Sequence, residues 1–84
     1  MARISLHSAR WMVTHPQTYT GRSGEKEPRS FYLGNQQFDI LEIQEQWVSD
    51  YRYFKVKAKG GKFYVLRNTR IGDNWEVAQL SAQR

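Results

Sequence analysis

The sequence predicts an all-β, single small domain in which an antiparallel meander closes into an SH3-like or OB-like barrel of about five to six strands. Segments rich in β-branched and aromatic residues recur roughly every ten residues after position 30. Glycine-containing turns separate these segments, at Gly34-Asn35, Gly60-Gly61 and Gly72-Asp73. With 84 residues, the chain has room for one domain, which we expect to span residues 1–84.

The elements of this meander follow an N-terminal zone and a loop. Within residues 1–16, short alternating segments at Ile4–Leu6 and Arg10–Thr14 favour strands. Residues 17–30 contain two glycines, a proline and one large apolar residue, so we expect a long flexible loop. The core is then expected in residues 31–80, with strands at 30–33, 37–48, 51–59, 62–68 and 75–80.

The segment 37–48 allows two interpretations. As a strand, it places Phe38 and Ile40 on one face but Leu41, Ile43 and Trp47 on the other. A bulge near Ile40–Leu41 would bring both sets inward. The apolar positions also fit one face of a helix, but no capping box or glycine stop accompanies them. We therefore predict a strand and keep the helix as the alternative.

The composition excludes several classes of protein. The chain has no cysteine, which rules out a disulfide-stapled scaffold, a thiolate metal site and a cysteine-based enzyme. No apolar run approaches the roughly 20 residues of a membrane span, and the first thirty residues lack the apolar region of a signal peptide. We therefore expect a soluble cytoplasmic protein with no membrane partner. Its core depends on 4 Phe, 5 Tyr and 3 Trp.

Charge is segregated along the chain, whose formal net charge is +5. Residues 1–30 carry +3, residues 31–50 carry −4 without a single cation, and residues 51–84 carry +6. Partners respond to such local fields more than to the net value, because salt screens charges beyond about 10 Å.

The segment Tyr51–Lys59 combines cations and aromatic rings at alternating positions. On a strand, the lysines and tyrosines share the face opposite Phe54 and Val56. A two-residue turn at Gly60-Gly61 would also place Tyr64 opposite Lys57. Cations neutralise phosphates and rings stack on unpaired bases, so this pattern predicts a nucleic-acid-binding face. The candidate binding residues are Arg52, Tyr51, Tyr53, Lys55, Lys57, Lys59 and Lys62.

The same pattern also fits a solvated face. Alternating lysines protect sheets against edge-to-edge aggregation. Tyr64 and Leu66 share a face, so a longer loop at Gly60-Gly61 would turn Tyr64 into the core. An acidic cluster would then pair with the lysine strand beside it, through Asp39, Glu42, Glu45 and Asp50.

Motifs for catalysis or cofactor binding are missing from the sequence. Neither GxxxxGK[ST] nor GxGxxG occurs. His7 and His15 have no compact set of carboxylates that would complete a zinc site. Ser8 beside His7 is only sequence adjacency, and a triad is recognised by geometry. We therefore expect no catalytic residues, no metal site, no cofactor and no enzymatic activity.

From Pro28 onward, the pattern of apolar residues resembles a family of small uncharacterised bacterial all-β proteins (a domain of unknown function). The first half of the resemblance is carried by Pro28, Phe31, Gly34, Phe38, Ile40, Leu41, Ile43 and Trp47. The second half is carried by Tyr64, Leu66, Gly72, Trp75, Val77 and Leu80. The resemblance implies strand at 37–48. Genes of this family sometimes lie beside genes for error-prone DNA polymerases, which implies a DNA-repair context but no reaction. Residues 1–27 and the lysines at 55–59 lie outside the pattern.

Two functions therefore stand side by side. In the first, a small β-barrel module binds the DNA or RNA backbone through the Lys/Tyr face. In the second, the chain is an interaction or accessory subunit that contacts a larger protein partner through an edge strand or the acidic segment. Exposed tyrosines beside the lysines would favour the first function. Buried Tyr53 and Tyr64 with an exposed Trp11 would favour the second.

Overall fold

Seven antiparallel strands follow one another along the chain and form one curled sheet. The computed structural model describes residues 9–21, 24–69 and 74–80. Strands make up 70% of these residues, and the described ranges contain no helix. The strands are β1 (Met12–Thr14), β2 (Gln17–Thr20), β3 (Lys26–Leu33), β4 (Gln36–Val48), β5 (Arg52–Ala58), β6 (Phe63–Asn68) and β7 (Trp75–Gln79).

The sheet is an open half-barrel with the strand order β1-β7-β6-β5-β4-β3-β2. β1, at one end of the sheet, contacts β3, next to the other end, where Thr14 bridges to the main chain of Tyr32. The Thr14 hydroxyl donates to the Tyr32 carbonyl at 2.8 Å and accepts from the Tyr32 N–H at 2.9 Å. The predicted all-β single domain is confirmed. Its described residues form seven strands instead of five to six, and the sheet is open instead of closed into a barrel.

Strand β4 is long because it belongs to both halves of the curled sheet. Its first residues, Gln36–Asp39, pair with β3, and its remaining residues pair with β5. Register shifts after Ile40 and Ile43 are the bulges that bend it. The strand prediction for 37–48 and the bulge near Ile40–Leu41 are confirmed. The inward turn of Leu41 is wrong, because this side chain is 60% exposed and the bulge turns it outward.

The segment expected to be a long loop at 17–30 is mostly a hairpin. Gln17–Thr20 and the first half of β3 pair with each other across a turn held by the Gly21 N–H bond to the Glu25 carbonyl. Polar residues such as Thr18 and Thr20 satisfy the ladder as well as apolar ones do, because the ladder bonds are made by the backbone. A loop prediction based on composition therefore misses this strand pairing.

The β5–β6 hairpin settles which face Tyr64 occupies. Lys57 pairs with Phe63, and the Ala58 N–H donates to the Lys62 carbonyl at 2.9 Å, so the loop has three residues, 59–61. Gly60 and Gly61 have φ values of 101° and 90°, which glycine adopts without strain. Of the two alternatives that the sequence left open, the longer loop is the one observed. The extra loop residue places Tyr64 opposite Val56, on the core side.

The core lies on the concave inner face of the sheet. Phe31 packs edge-on to Tyr64, with ring centroids 4.9 Å apart, and stacks on Phe38 at 5.6 Å. Ile40 and Ile43 of the bent β4 pack against the same cluster. Its buried members come from β3, β5, β6 and β7: Phe31, Phe54, Val56, Ala58, Tyr64, Leu66, Trp75 and Val77.

Some sequence-based predictions concern residues outside the described ranges. These are the strand at Ile4–Leu6, any role of His7 and Ser8, and the turn at Gly72-Asp73. No helix long and apolar enough to cross a membrane occurs in the described part of the chain.

Candidate functional site

The convex outer face of the sheet carries a row of side chains from five adjacent strands. The register places these residues side by side: Val13, Glu76, Arg67, Tyr53 and Trp47. In the next row, Val65 and Ala78 are 0% and 1% exposed. The outer face is therefore packed in its middle, in contrast to the solvated surface that alternating lysines predict.

Tyr53 is the centre of an aromatic cluster on this face. Only 7% of it is exposed, because three other rings surround it. Trp47 stacks on Tyr53 with centroids 5.1 Å apart and planes at 11°. Tyr51 meets it edge-on at 5.9 Å, and Trp11 lies at 6.4 Å. Trp11, Trp47, Tyr51, Tyr53 and Arg67 are called the aromatic cluster below.

Arg67 links the members of the aromatic cluster. Its guanidinium carbon lies 4.1 Å from the Trp11 ring centroid and 4.3 Å from that of Tyr51, so two rings flank the cation. Its Nε donates to Glu76 Oε1 at 2.7 Å. Burial lowers the pKa of Arg67, but the hydrogen bond and charge of Glu76, together with Tyr51 and Tyr53, raise it overall. The cation is thus held in a fixed geometry.

The phenol of Tyr53 is also fixed. Its hydroxyl donates to Asp50 Oδ1 at 3.0 Å, across the β4–β5 turn. Burial raises the pKa of Tyr53, and the neighbouring Asp50 carboxylate raises it further. The ring that sequence analysis assigned to base stacking is therefore covered by its neighbours and bound to a carboxylate.

The structure does not bring the predicted nucleic-acid-binding residues onto one exposed face. Lys55 and Lys57 are on the outer face, but the register places Glu45 and Glu42 directly opposite them. Lys59 and Lys62 are exposed at the hairpin tip. Phe63, which is 36% exposed, pairs with Lys57 across the hairpin.

Arg52 lies apart from the other predicted residues. Its guanidinium donates to the Lys26 carbonyl and to Glu25 Oε1, each at 3.2 Å, and its carbon lies 4.9 Å from the Phe54 ring centroid. Phe54 belongs to the core, so Arg52 is on the inner-face side and ties β5 to β3. It is a structural contact in this fold.

Carboxylates border the aromatic cluster. Asp50 bonds Tyr53, Glu76 bonds Arg67, and Glu45 pairs with Lys55 in the adjoining row. Phosphate groups approaching the cluster would meet these anions at close range. The electrostatics of this surface therefore differ from a phosphate-binding groove.

Sequence reasoning missed Trp11, Trp47 and Arg67 as members of one site. Trp11 and Arg67 are far apart in sequence and meet only because β1 pairs with β7 and β7 pairs with β6. The one available signal was the number of aromatic residues, which exceeds what a core of this size holds.

A cleft opens where β3 and β4 diverge. Its volume is about 220 Å³. It is lined by side chains of β2, β3 and β4: Tyr19, Glu27, Pro28, Arg29, Ile40, Leu41, Glu42 and Ile43. Within the described ranges, no group of three His, Asp or Glu side chains is placed to hold a metal ion.

Comparisons with known proteins give no match: no family model, no curated protein and no solved structure is similar to this chain. The resemblance to the small bacterial family stays a prediction.

Proposed function

We propose that this protein is a non-catalytic binding module of the SH3-like or OB-like kind, and that its aromatic cluster contacts a protein partner. The observation that carries the proposal is the cluster itself, which places two tryptophans, two tyrosines and an arginine on the outer face of the sheet. These three residue types dominate the binding energy of protein interfaces.

The geometry of the cluster supports binding in two ways. Trp11, Trp47 and Tyr51 are half-buried, so each keeps part of its ring surface available to a partner. Their orientations are fixed by ring stacking and by Arg67, so binding would order few side chains. A preorganised surface loses less conformational entropy on association than a mobile one does.

Charge favours a protein partner over a nucleic acid at this surface. Asp50 accepts from the Tyr53 phenol, Glu76 accepts from Arg67, and Glu45 lies in the adjoining row. Nucleic-acid affinity depends on cations that replace the counterions of phosphates. Two exposed cations, Lys59 and Lys62, are at the hairpin tip, beyond Lys57 and Phe63.

The hairpin tip supports a second candidate function. Phe63 offers an exposed ring beside Lys57, and Lys55 Nζ lies 5.7 Å from the same ring centroid. A single-stranded nucleic acid could stack one base there while Lys59 and Lys62 contact phosphates. This version of the nucleic-acid hypothesis replaces the buried Tyr53 and Tyr64 with Phe63.

Affinity capture from a nuclease-treated native lysate tests the first candidate. We expect a protein partner to be retained by the wild-type chain and lost with Trp11→Ala and with Tyr51→Ala. Tyr32→Ala is the matched control, because Tyr32 is 39% exposed but outside the cluster. Thermal melts confirm that each variant is folded. Equal capture by all variants would contradict the proposal. So would capture that occurs only in a parallel lysate without nuclease treatment.

A salt series of oligonucleotide titrations tests the second candidate. We expect single-stranded binding at low salt that weakens with Phe63→Ala and with the double change Lys59→Glu and Lys62→Glu. Tyr51→Ala should leave it unchanged. The absence of binding at low salt would exclude this candidate and leave the first.

A further inference from the structure

One edge of β4 has no strand partner among the described residues. β3 pairs with β4 only through Gln36–Asp39, and from Ile40 to Val48 the described partner of β4 is β5 alone. The backbone N–H and C=O groups on the other edge of that stretch can therefore accept an additional strand. Leu41 and Val48 on this stretch are each 60% exposed.

The cleft between β3 and β4 opens onto this edge. Ile40 and Ile43 form an apolar wall continuous with the core, and Leu41 and Tyr19 stand at its rim. At about 220 Å³ it is smaller than the roughly 300 Å³ at which pockets for whole small molecules begin. Its size suits an apolar side chain of a larger partner.

The edge is also acidic. From residue 40 to residue 50, β4 and the following turn carry Glu42, Glu45 and Asp50 and no cation. Glu27 and Glu42 line the cleft. The cation there, Arg29, has its guanidinium carbon 4.2 Å from the Tyr19 ring centroid. An arriving strand with basic side chains would meet complementary charge.

Glu42 and Glu45 can each interact with a neighbouring strand on either side of β4. Lys57 and Lys55 already lie opposite them on β5. A strand added to the other edge would place its own side chains at the equivalent cross-strand distance, about 4.5–5.5 Å between Cβ atoms. Each carboxylate would then lie between two cations, as in the middle strand of a charged sheet face.

We propose that the free edge of β4 binds an extended peptide in which aliphatic and basic residues alternate. The peptide adds as a further strand, so its backbone supplies affinity and its side chains supply specificity. One aliphatic side chain enters the cleft against Ile40, Leu41 and Ile43, and the basic side chains face Glu42 and Glu45. This site adjoins the aromatic cluster, because Trp47 lies on the same stretch of β4, and it goes beyond the proposed function.

Labelled peptides of about eight residues test this directly, a usual strand length being 3–10. The probe alternates valine and lysine, a second peptide alternates valine and glutamate, and a third is the probe with alternate backbone amides methylated. We expect the probe alone to bind in fluorescence polarisation. Amides of Leu41–Val48 should shift in NMR spectra and gain protection from hydrogen exchange.

Two substitutions test whether the peptide binds at the cleft. Leu41→Ala removes the exposed rim of the apolar wall, and Glu42→Lys reverses charge at the edge; each should weaken the probe about tenfold or more. Gln79→Lys is the charge control, because it adds a cation on β7, with β5 and β6 between it and β4. Tyr51→Ala should leave probe affinity unchanged, so failure of this proposal and failure of the aromatic-cluster proposal are distinguishable.

Three outcomes would overturn the inference. The first is equal binding of the anionic or the methylated peptide. The second is probe affinity that Leu41→Ala and Glu42→Lys leave intact. The third is a different occupant of the edge, seen as self-association in analytical ultracentrifugation that blocks the probe, or as an oligonucleotide that shifts the same amides.

Discussion

The side chains of strand β5 alternate between two faces of the sheet. Different interactions bury the two faces. On the inner face Phe54, Val56 and Ala58 are each 0% exposed. On the outer face Tyr53 is nearly as buried, whereas Lys55 and Lys57 are half-buried and opposite carboxylates. The inner face is buried because its own side chains are apolar. The outer face is buried at Tyr53 because rings from neighbouring segments cover it.

The two faces are therefore stabilised by different kinds of interaction. Inner-face burial is non-directional and scales with apolar area, at roughly 25 cal/mol per Å². Outer-face burial at Tyr53 uses ring stacking, a cation between two rings and two charged hydrogen bonds. Such contacts contribute about 0.5–2 kcal/mol each and depend on orientation. Core substitutions should therefore cost more than outer-face substitutions.

The largest effect is expected from Phe54→Ala. Removing a fully buried ring should lower the free energy of unfolding by about 3–5 kcal/mol, since transfer energy and a cavity add. Chemical denaturation measures this change. Phe63→Ala, on the outer side of the neighbouring strand and 36% exposed, is the control and should cost about 0.5–1 kcal/mol. Equal losses would remove the energetic distinction between the faces.

Thr14→Val is expected to cost about 1–3 kcal/mol. The change keeps side-chain shape but leaves the N–H of Tyr32 without its partner, at a position where Thr14 is 2% exposed. Equilibrium denaturation again gives the value. Thr20→Val on the exposed edge strand should be neutral within about 0.5 kcal/mol. If Thr14→Val is as neutral as Thr20→Val, the bridge between Thr14 and Tyr32 contributes nothing to stability.

Tyr53→Phe should cost about 0.5–1.5 kcal/mol, because it deletes the hydrogen bond to Asp50 and leaves the stacked ring in place. Asp50→Asn is the companion variant. The double variant should cost little more than either single one if the two groups act only on each other. Fully additive losses would show that Asp50 stabilises the outer face by another route.

Gly61→Ala should cost about 1 kcal/mol through strain alone, since its φ is 90° and no heavy atom lies within 4 Å of a Cβ built there. Gly21→Ala is the matched control, because its φ is outside the left-handed region and its nearest contact is an ordinary 3.7 Å. Comparable denaturation midpoints for the two variants would contradict the three-residue loop.

The smallest effect concerns alkaline pH. Burial raises the pKa of Tyr64 above its ordinary 10.0, and that of Tyr53 is raised as well. Above pH 10 the unfolded chain loses these protons before the folded chain does, so the contribution of these two groups to stability is constant below pH 10 and is lost above it. Tyr64→Phe should reduce that loss. Identical pH profiles for Tyr64→Phe and the wild-type chain would contradict this explanation.

Local sequence patterns were sufficient for the strands that carry strong apolar periodicity. Phe54, Val56 and Ala58 alternate, and β5 is a strand with that face inward. The bulge in β4 followed from an apolar pattern that changes phase between Ile40 and Leu41. The hairpin at 17–30 did not follow, because backbone ladder bonds can form where side chains are polar and small.

The candidate site was harder to predict from the sequence than the strands were. Tyr51, Tyr53 and the lysines were assigned to one outward face from alternation alone, and Lys55 and Lys57 are on it. Alternation states which way a side chain points but says nothing about what other segments place over it. Arg67 lies opposite Tyr53 through the register of the β5–β6 hairpin, and Trp11 reaches Tyr53 only through the order in which β1, β7 and β6 pair.

By itself the sequence determined the fold class, the alternation of β5 and the separation of acidic from basic segments, since these depend on neighbours along the chain. The tertiary structure alone decided that Tyr64 is in the core, that Glu42 and Glu45 lie opposite the lysines, and that Tyr53 is covered. Each of these rests on register and strand order. One residue more in a hairpin loop, or one bulge, moves a side chain to the opposite face, and that outcome is set by the packing of the whole sheet.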